Sequence, residues 1–291
     1  MKIITRKYDN KNNLLRHIFH TDPDLLSDCD NRIEFSAIVS DIYIDGVWKT
    51  TSNARLENTD KFIIELMKKD NAGTMCRFMD LGASSGITTI ESAEKISKAV
   101  QAPIKYYLLD RYFYLLKYKI NGFSEYRTSN EEPVFLKIGC FGIRLPVSEH
   151  KHAFISNILA GIYLSFSKFR KRMILDSKLP LFTSDLLSKD VFEVIEQDCL
   201  NMDLSENTKF EYIRASNILN KAYFSDEQIK KIIKNLKQHL EDKGYLIVSR
   251  NLTEKDEPSE IISIWQNNNN KLELLSTFNG GSEIDDVLVD N

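Results

Sequence analysis

Apolar residues in this chain of 291 residues fall into short runs, and three of the runs have the length and composition of buried strands. An acidic residue lies at or just after the end of each run. Between the first two runs there is room for one helix and one turn. Strands that alternate with helices predict an α/β fold with a parallel sheet. The runs cover residues 77–81, 104–109 and 191–197.

The first run leads into a loop in which Asp80 is followed by two glycines, Gly82 and Gly86, with Ala83 and Ser84 between them. Glycine has no Cβ, so Gly82 can adopt a positive φ and Gly86 can allow a ligand close to the start of the following helix. The spacing matches neither the Gly-x-Gly-x-x-Gly of dinucleotide enzymes nor a phosphate-binding loop. The pattern indicates a cradle for a small molecule, and a plain turn from strand to helix is the alternative.

The acids after the next two strands suit a nucleoside. The two carboxylate oxygens of Asp110 can accept both hydroxyl groups of a ribose. Asp198 can accept a hydrogen bond from an adenine amino group. Asp110 taken alone can equally be a solvated residue at the end of a strand. Together with Asp80 these acids predict a nucleoside cofactor.

At this point residues 72–290 resemble the class I S-adenosylmethionine-dependent methyltransferases. In this resemblance residues 210–220 are the fourth strand and its loop, and residues 243–250 are the fifth strand. The resemblance implies a Rossmann-like α/β sheet with helices on both faces, here with an N-terminal cap and a long, mainly helical insertion. It also implies S-adenosylmethionine as cofactor and S-adenosylhomocysteine as product.

The resemblance implies a set of cofactor-binding residues. The glycine loop and Asp80 hold the methionine end of the cofactor, Asp110 the ribose, and Asp198 the adenine. Arg55 lies in a polar segment that can fold over the cofactor and pair with its carboxylate, with a surface arginine as the alternative. The complete predicted set is Arg55, Asp80, Gly82, Ala83, Ser84, Gly86, Asp110, Arg111, Asp198 and Cys199.

The implied chemistry is in-line transfer of a methyl group from a sulfonium to an oxygen or nitrogen atom. Positioning supplies most of the catalysis of such a step. An alcohol acceptor benefits from a general base, for which His152 is the predicted residue and His150 a neighbour. Asn217 and Asn220 follow the fourth strand and can orient the acceptor. For both asparagines, hydrogen bonding within their own loop is the alternative.

The chain divides into a predicted N-terminal cap, residues 1–70, and a methyltransferase domain, residues 71–291. Within that domain, residues 111–190 are predicted to form an inserted, mainly helical substrate lid. The lid is expected to begin with an aromatic helix near Tyr112, to pass through short strands from Pro133 to Leu145, and to contain a long amphipathic helix from Phe154 to Phe169. At the end of the chain, residues 271–278 and 283–289 are predicted to form two closing strands.

The long helix of the insertion ends with a cluster of cations next to its apolar residues. A helix of this kind can lie on a membrane surface, although packing against its own domain is the ordinary explanation. Its apolar run is too short, and contains too many polar residues, to span a bilayer. The cations are Lys168, Arg170, Lys171 and Arg172.

Composition limits the partners. The net charge of −3 gives no indication of the clustered basic surface that binds nucleic acids. The four cysteines form no Cys-x-x-Cys pair, so neither a zinc site nor a disulfide framework is expected. We expect a cytoplasmic protein that acts on a small-molecule or lipid-like acceptor.

Two alternatives stay open at this point. One is a related nucleoside-binding fold that uses NAD, which the missing second loop glycine disfavours. The other is a non-catalytic S-adenosylmethionine-binding protein or membrane-surface scaffold. The identity of the acceptor, the methylated atom and the oligomeric state do not follow from the sequence, because folds of this type serve many substrates.

Overall fold

The structure is a computed structural model. It describes residues 22–29, 31–40, 42–44, 47–49, 55–70, 75–139, 141–145, 154–252 and 259–289. These residues divide into two compact units. The larger unit comprises the described residues of 52–111 and 184–291, and the smaller unit those of 1–51 and 112–183.

The helices and strands are numbered along the chain. The helices are α1 (Arg32–Val39), α2 (Glu57–Lys69), α3 (Ile87–Ala99), α4 (Phe154–Ser165), α5 (Ser167–Arg170), α6 (Asp226–His239) and α7 (Asp285–Val289). The strands are β1 (Tyr43–Ile44), β2 (Val47–Trp48), β3 (Cys76–Leu81), β4 (Ile104–Asp110), β5 (Tyr114–Ile120), β6 (Phe123–Arg127), β7 (Pro133–Ile138), β8 (Phe141–Arg144), β9 (Ile174–Pro180), β10 (Phe192–Glu196), β11 (Phe210–Ser216), β12 (Leu240–Leu252), β13 (Ser259–Asn268) and β14 (Lys271–Phe278).

The larger unit is built on a mixed sheet of seven strands in the order β10-β4-β3-β11-β12-β13-β14, counted over the described residues. The five strands from β10 to β12 are parallel, and β13 and β14 continue the sheet in antiparallel pairing. The α/β class and the five strands read from the sequence are confirmed.

Helices cover both faces of this sheet because successive side chains of a strand point to opposite faces. On one face, Met79 and Ile213 pack in an apolar cluster with the buried residues of α6 and α7. On the other face, the strand residue Arg214 contacts Asp60 of α2 and Ser92 of α3. The prediction of helices on both faces therefore holds for the larger unit.

The end of the chain differs from the expected closing strand, because residues 285–289 form helix α7. Ile284, Val287 and Leu288 are buried, and their spacing of three and four is helical. The side chain of Asp285 accepts a hydrogen bond from the N–H of Ser282 at 3.0 Å and so holds the turn before the helix.

The prediction of a mainly helical insertion is wrong. In the smaller unit the described residues form an antiparallel sheet of five strands in the order β8-β7-β6-β5-β9. The segment near Tyr112 that was expected to be an aromatic helix leads into strand β5. A tight turn at Asn121 and Gly122, both with positive φ, joins β5 to β6. Asn-Gly is a strong hairpin signal, and the sequence interpretation missed it.

The long helix predicted from Phe154 to Phe169 is divided into two helices, α4 and α5, by an interruption at Phe166. Its end is held to the sheet through Glu125 of β6, a fully buried carboxylate. Arg170 donates to the two carboxylate oxygens of Glu125 at 2.8 and 3.0 Å, and Arg127 and Tyr163 also donate to them. Burial raises the pKa of Glu125, but these hydrogen bonds outweigh it and leave the pKa below its usual range. Across the described residues, no helix has the length and apolar character needed to cross a bilayer.

Candidate functional site

The predicted site residues of the larger unit lie at the point in its sheet where the order of the parallel strands reverses. From β3 the chain proceeds to β4 and β10 on one side, and it then returns to β11 on the other side of β3. Loops at the carboxyl ends of such strands diverge at this switch point and leave a crevice that binds ligands in open α/β sheets. The loops after β3, β4, β10 and β11 carry most of the residues selected from the sequence.

The loop from Gly82 to Gly86 is tied to the end of β4. The N–H groups of Gly82 and Ala83 donate to the carbonyl oxygen of Leu109 at 2.8 and 3.3 Å. The N–H of Ser84 donates to the carboxylate Oδ2 of Asp110 at 2.8 Å. Gly82, Ser84 and Gly86 all have positive φ, as a tight turn requires. The strand-to-helix turn and the second acid therefore form one structural element.

The two glycines also permit close packing. A Cβ on Gly86 would lie 2.4 Å from Leu186 and 3.0 Å from Leu108, and a Cβ on Gly82 would lie 2.9 Å from Ile218. Protein side chains thus occupy the space that we expected Gly86 to leave for a ligand. The absence of a side chain at Gly86 lets α3 begin directly above the sheet.

Three buried hydroxyl groups in and after this loop are unsatisfied. Ser84 Oγ, Ser85 Oγ and Thr88 Oγ1 have no hydrogen-bond partner among the described residues. Buried polar atoms without partners are rare in folded proteins, because each one costs desolvation free energy. A polar ligand at the loop would supply the missing partners, so the residues present fit a polar cofactor.

The carboxylate of Asp80, which was expected to hold the methionine end of the cofactor, is buried in an ion pair. Arg214 donates to its two carboxylate oxygens at 3.0 and 2.6 Å, and the hydroxyl of Thr89 donates to one of them. Arg214 also donates to Ser92 at 2.6 Å and to Asp60 at 3.3 Å. Burial lowers the pKa of the Arg214 guanidinium, but the two carboxylates outweigh it and raise the pKa.

Arg55 lies within electrostatic range of this ion pair. Burial lowers the pKa of its guanidinium, the Asp80 carboxylate raises it, and Arg214 lowers it further. Its backbone carbonyl accepts a hydrogen bond from the side chain of Asn251 at 2.5 Å, which ties this segment to the end of β12. The structure thus brings Arg55 to the same edge of the sheet as the glycine loop.

The ends of β4 and β10 lie side by side, since Asp110 pairs with Glu196 in the sheet. Arg111, the residue after β4, approaches Asp198 with 3.4 Å between Nε and Oδ2. The other carboxylate oxygen of Asp198 accepts from the N–H of Leu200 at 2.9 Å. Cys199 is buried, and burial raises the pKa of its thiol to about 12. The sheet thereby brings together two pairs of predicted residues, Asp110 with Arg111 and Asp198 with Cys199, that are distant from each other in the sequence.

The asparagines after β11 have different partners, since Asn217 binds the end of β12 and Asn220 binds its own loop. Asn217 donates to the side-chain oxygen of Asn251 at 2.9 Å and accepts from its N–H at 2.7 Å. The side-chain oxygen of Asn220 accepts from the N–H groups of Ala222 and Tyr223 at 3.0 and 3.1 Å. His150 and His152 lie outside the described residues.

Sequence reasoning missed several residues of this edge. Asn251 and Leu186 come from segments without a recognisable motif, and Ile218 lies next to the selected Asn217; only the sheet order brings these residues to the loop. Ser85 and Thr88 lie next to Gly86 and two residues after it in the sequence. Their polar side chains at the start of a buried helix were a signal that could have been used.

No protein-family model matches the sequence, and no curated protein matches it. Among solved structures, the chain is similar to an S-adenosylmethionine-dependent methyltransferase from Clostridium acetobutylicum, with 14% identity, 81% of this chain and 80% of that one covered, and a TM-score of 0.35.

Two further solved structures have comparable similarity. The N-methyltransferase NodS from Bradyrhizobium japonicum, in complex with S-adenosylhomocysteine, has 11% identity, coverage of 71% and 67%, and a TM-score of 0.33. The sugar N-methyltransferase KedS8 from Streptoalloteichus has 8% identity, coverage of 78% and 72%, and a TM-score of 0.31. At such TM-scores the functional assignment depends on the strand order and on the site residues.

Proposed function

We propose that the protein is an S-adenosylmethionine-dependent methyltransferase whose cofactor binds at the carboxyl edge of β3, β4 and β10. One observation carries the proposal. The glycine loop, Asp110 and Asp198 converge at the switch point of a parallel sheet, beside three buried hydroxyl groups without partners in the described chain. The topology favours a ligand there, and the unsatisfied hydroxyls favour a polar one.

In this proposal, each group of residues at the carboxyl edge of the sheet contacts a different part of the cofactor. Asp110 would accept from the ribose hydroxyls while it continues to hold the loop through Ser84. Asp198, next to Arg111, would face the adenine. The hydroxyls of Ser84, Ser85 and Thr88, together with Arg55, would face polar groups of the cofactor. The cofactor would supply an electrophilic methyl group on a sulfonium.

The residues of the chain would then act mainly by positioning. Holding two reactants in line removes about 7–11 kcal/mol from a barrier, so a methyl transfer needs little acid–base chemistry. In this scheme Asn217 and Asn220 fix the loop after β11 that faces the acceptor. His152 stays the predicted general base for an alcohol acceptor.

The acceptor is proposed to be a small or amphipathic molecule. The modest net charge of −3 provides little attraction for a nucleic acid. The many apolar residues of the 111–190 segment favour an acceptor with an apolar part. Oxygen and nitrogen remain equally suitable as the methylated atom.

A non-catalytic S-adenosylmethionine-binding protein is the second candidate. The observation in its favour is that the side-chain amide of Asn217 is bound to Asn251 of β12, and the side-chain oxygen of Asn220 is bound within its own loop. If neither amide reaches an acceptor, the site can bind the cofactor without promoting transfer. An activity measurement distinguishes the two candidates.

The experiment supplies the protein with S-adenosylmethionine carrying an isotopically labelled methyl group, together with aqueous and lipid extracts. We expect label in a product that is absent without protein. At low cofactor concentration, Asp110→Asn should reduce the rate about 10- to 100-fold, since a hydrogen bond to a charged group contributes about 1.5–3 kcal/mol. Asparagine can still accept from Ser84, so the loop should persist.

Glu193→Gln provides the matched control. Glu193 lies near the amino end of the neighbouring strand β10, is exposed, and pairs with Lys105 at 2.7 Å, away from the carboxyl ends of the strands. The control also removes one negative charge, and its rate should equal that of the unchanged protein. Cofactor binding without transfer to any extract would support the second candidate. Equal rates for Asp110→Asn and the control would contradict the proposed site.

A further inference from the structure

Helix α4 of the smaller unit has two apolar faces, and only one of them is buried. Ala160 and Tyr163 pack with Leu136, Ile143 and Leu145 in the core of the antiparallel sheet. On the other face, Ile158, Leu159 and Ile162 are exposed, Ile162 to 53%. The amphipathic helix expected from the sequence thus has two apolar faces with different surroundings.

The exposed face continues beyond the helix. Phe166, at the break between α4 and α5, is 57% exposed. It follows Ile158 and Ile162 at intervals of four residues, so the three side chains belong to one stripe along the helix. We name Ile158, Leu159, Ile162 and Phe166 the apolar stripe. Clustered exposed apolar residues of this kind usually mark an interaction surface.

Cations follow the apolar stripe directly in the chain. Lys168, Lys171 and Arg172 are exposed, and within the described residues none of them has an ion-pair partner. Arg170 differs, because Glu125 binds its guanidinium and holds it against the sheet. The nearby Asp176 is paired with Lys119 at 2.8 Å. The end of the helical segment therefore carries an uncompensated positive charge.

We propose that this face docks on an anionic lipid bilayer, with the apolar stripe in the headgroup region and Lys168, Lys171 and Arg172 on the acidic headgroups. Apolar side chains beside basic residues are the composition of helices that lie in a membrane interface. A symmetric contact between two copies would instead bring the cations of both copies to one interface, which electrostatic repulsion disfavours. The inference does not depend on the proposed function.

The test is flotation of the full chain with vesicles of phosphatidylcholine and phosphatidylserine, compared with phosphatidylcholine alone. We expect flotation with the anionic vesicles that weakens as salt is added, because exposed charges are screened. Lys171→Glu with Arg172→Glu should reduce the bound fraction at least about tenfold, since each cation near the surface contributes several-fold to binding. Ile162→Ser with Phe166→Ser should reduce it to a similar extent.

Lys230→Glu with Lys234→Glu is the matched control, since it makes the same charge change on exposed residues of α6. The control should float like the unchanged protein, and a thermal unfolding curve should show that every variant is folded. No flotation of the unchanged chain would overturn the proposal, as would equal losses in the control. A concentration-dependent dimer that Ile162→Ser with Phe166→Ser abolishes, without vesicle binding, would also overturn it and assign the face to a second copy.

Discussion

Replacing Arg214 by methionine is expected to lower the free energy of unfolding by about 3–5 kcal/mol, because the change leaves buried carboxylates without their cation. Arg214 is fully buried and joins Asp80 of its neighbouring strand to Asp60 of α2. Methionine fills part of the space and supplies no charge. Chemical denaturation, followed by circular dichroism, measures the change.

Two companion variants separate this ion pair from a general effect of losing an arginine. Arg250→Met removes a partly exposed partner of Glu283 and should cost less than about 1 kcal/mol. Asp80→Asn, added to Arg214→Met, should recover part of the loss because the uncompensated carboxylate is gone. If Arg214→Met were as stable as the Arg250 variant, the buried pair would not hold the sheet to its helices.

Gly86→Ala is expected to lower the free energy of unfolding by about 2–4 kcal/mol, from left-handed backbone strain together with overpacking. Gly86 has φ of +75°, and an added Cβ would lie 2.4 Å from Leu186. The contact is with a packed side chain where α3 begins above the sheet. The start of α3 and the glycine loop should both shift. Denaturation curves again provide the measurement.

Gly280→Ala is the control that isolates the backbone contribution. Gly280 also has a positive φ, of +88°, but nothing lies within 4 Å of the position of its Cβ. It should therefore lose only the strain part, about 1–2 kcal/mol. Equal losses at the two positions would mean that Leu186 yields readily and that Gly86 is not needed for packing.

The sequence was a good guide to the carboxyl edge of the sheet, because local signals define it. Apolar runs, the glycine turn and the acids after the strands need no knowledge of distant partners. The role of Asp80 could not be read in the same way. Its partner Arg214 stands on another strand, and only the sheet order places the two in contact. A carboxylate at a strand end gives no sign of whether it faces solvent or a buried cation.

In the insertion, by contrast, the periodicity of the apolar residues was misread as helical. The secondary structure predicted near Tyr112 was therefore wrong. In β5 buried and less buried residues alternate, as in a strand, but one buried position is Lys117. Its ammonium donates to Asp24 at 2.5 Å, so a charged residue lies on the core side. Because a lysine occupies one of the core positions, the alternation of apolar and polar residues is not visible in the sequence. The surrounding aromatic residues then resemble a helical stripe. The partner Asp24 lies far away in the sequence, which made the exception unpredictable.

The most direct test of the central claim is calorimetric titration of S-adenosylmethionine and S-adenosylhomocysteine into the purified chain, with NAD as the comparison ligand. We predict saturable binding of the first two, no binding of NAD, and affinity at least about tenfold weaker in Asp110→Asn. Folded protein that binds neither sulfur compound, or that binds them equally well in the Asp110 variant, would contradict a cofactor site at the glycine loop.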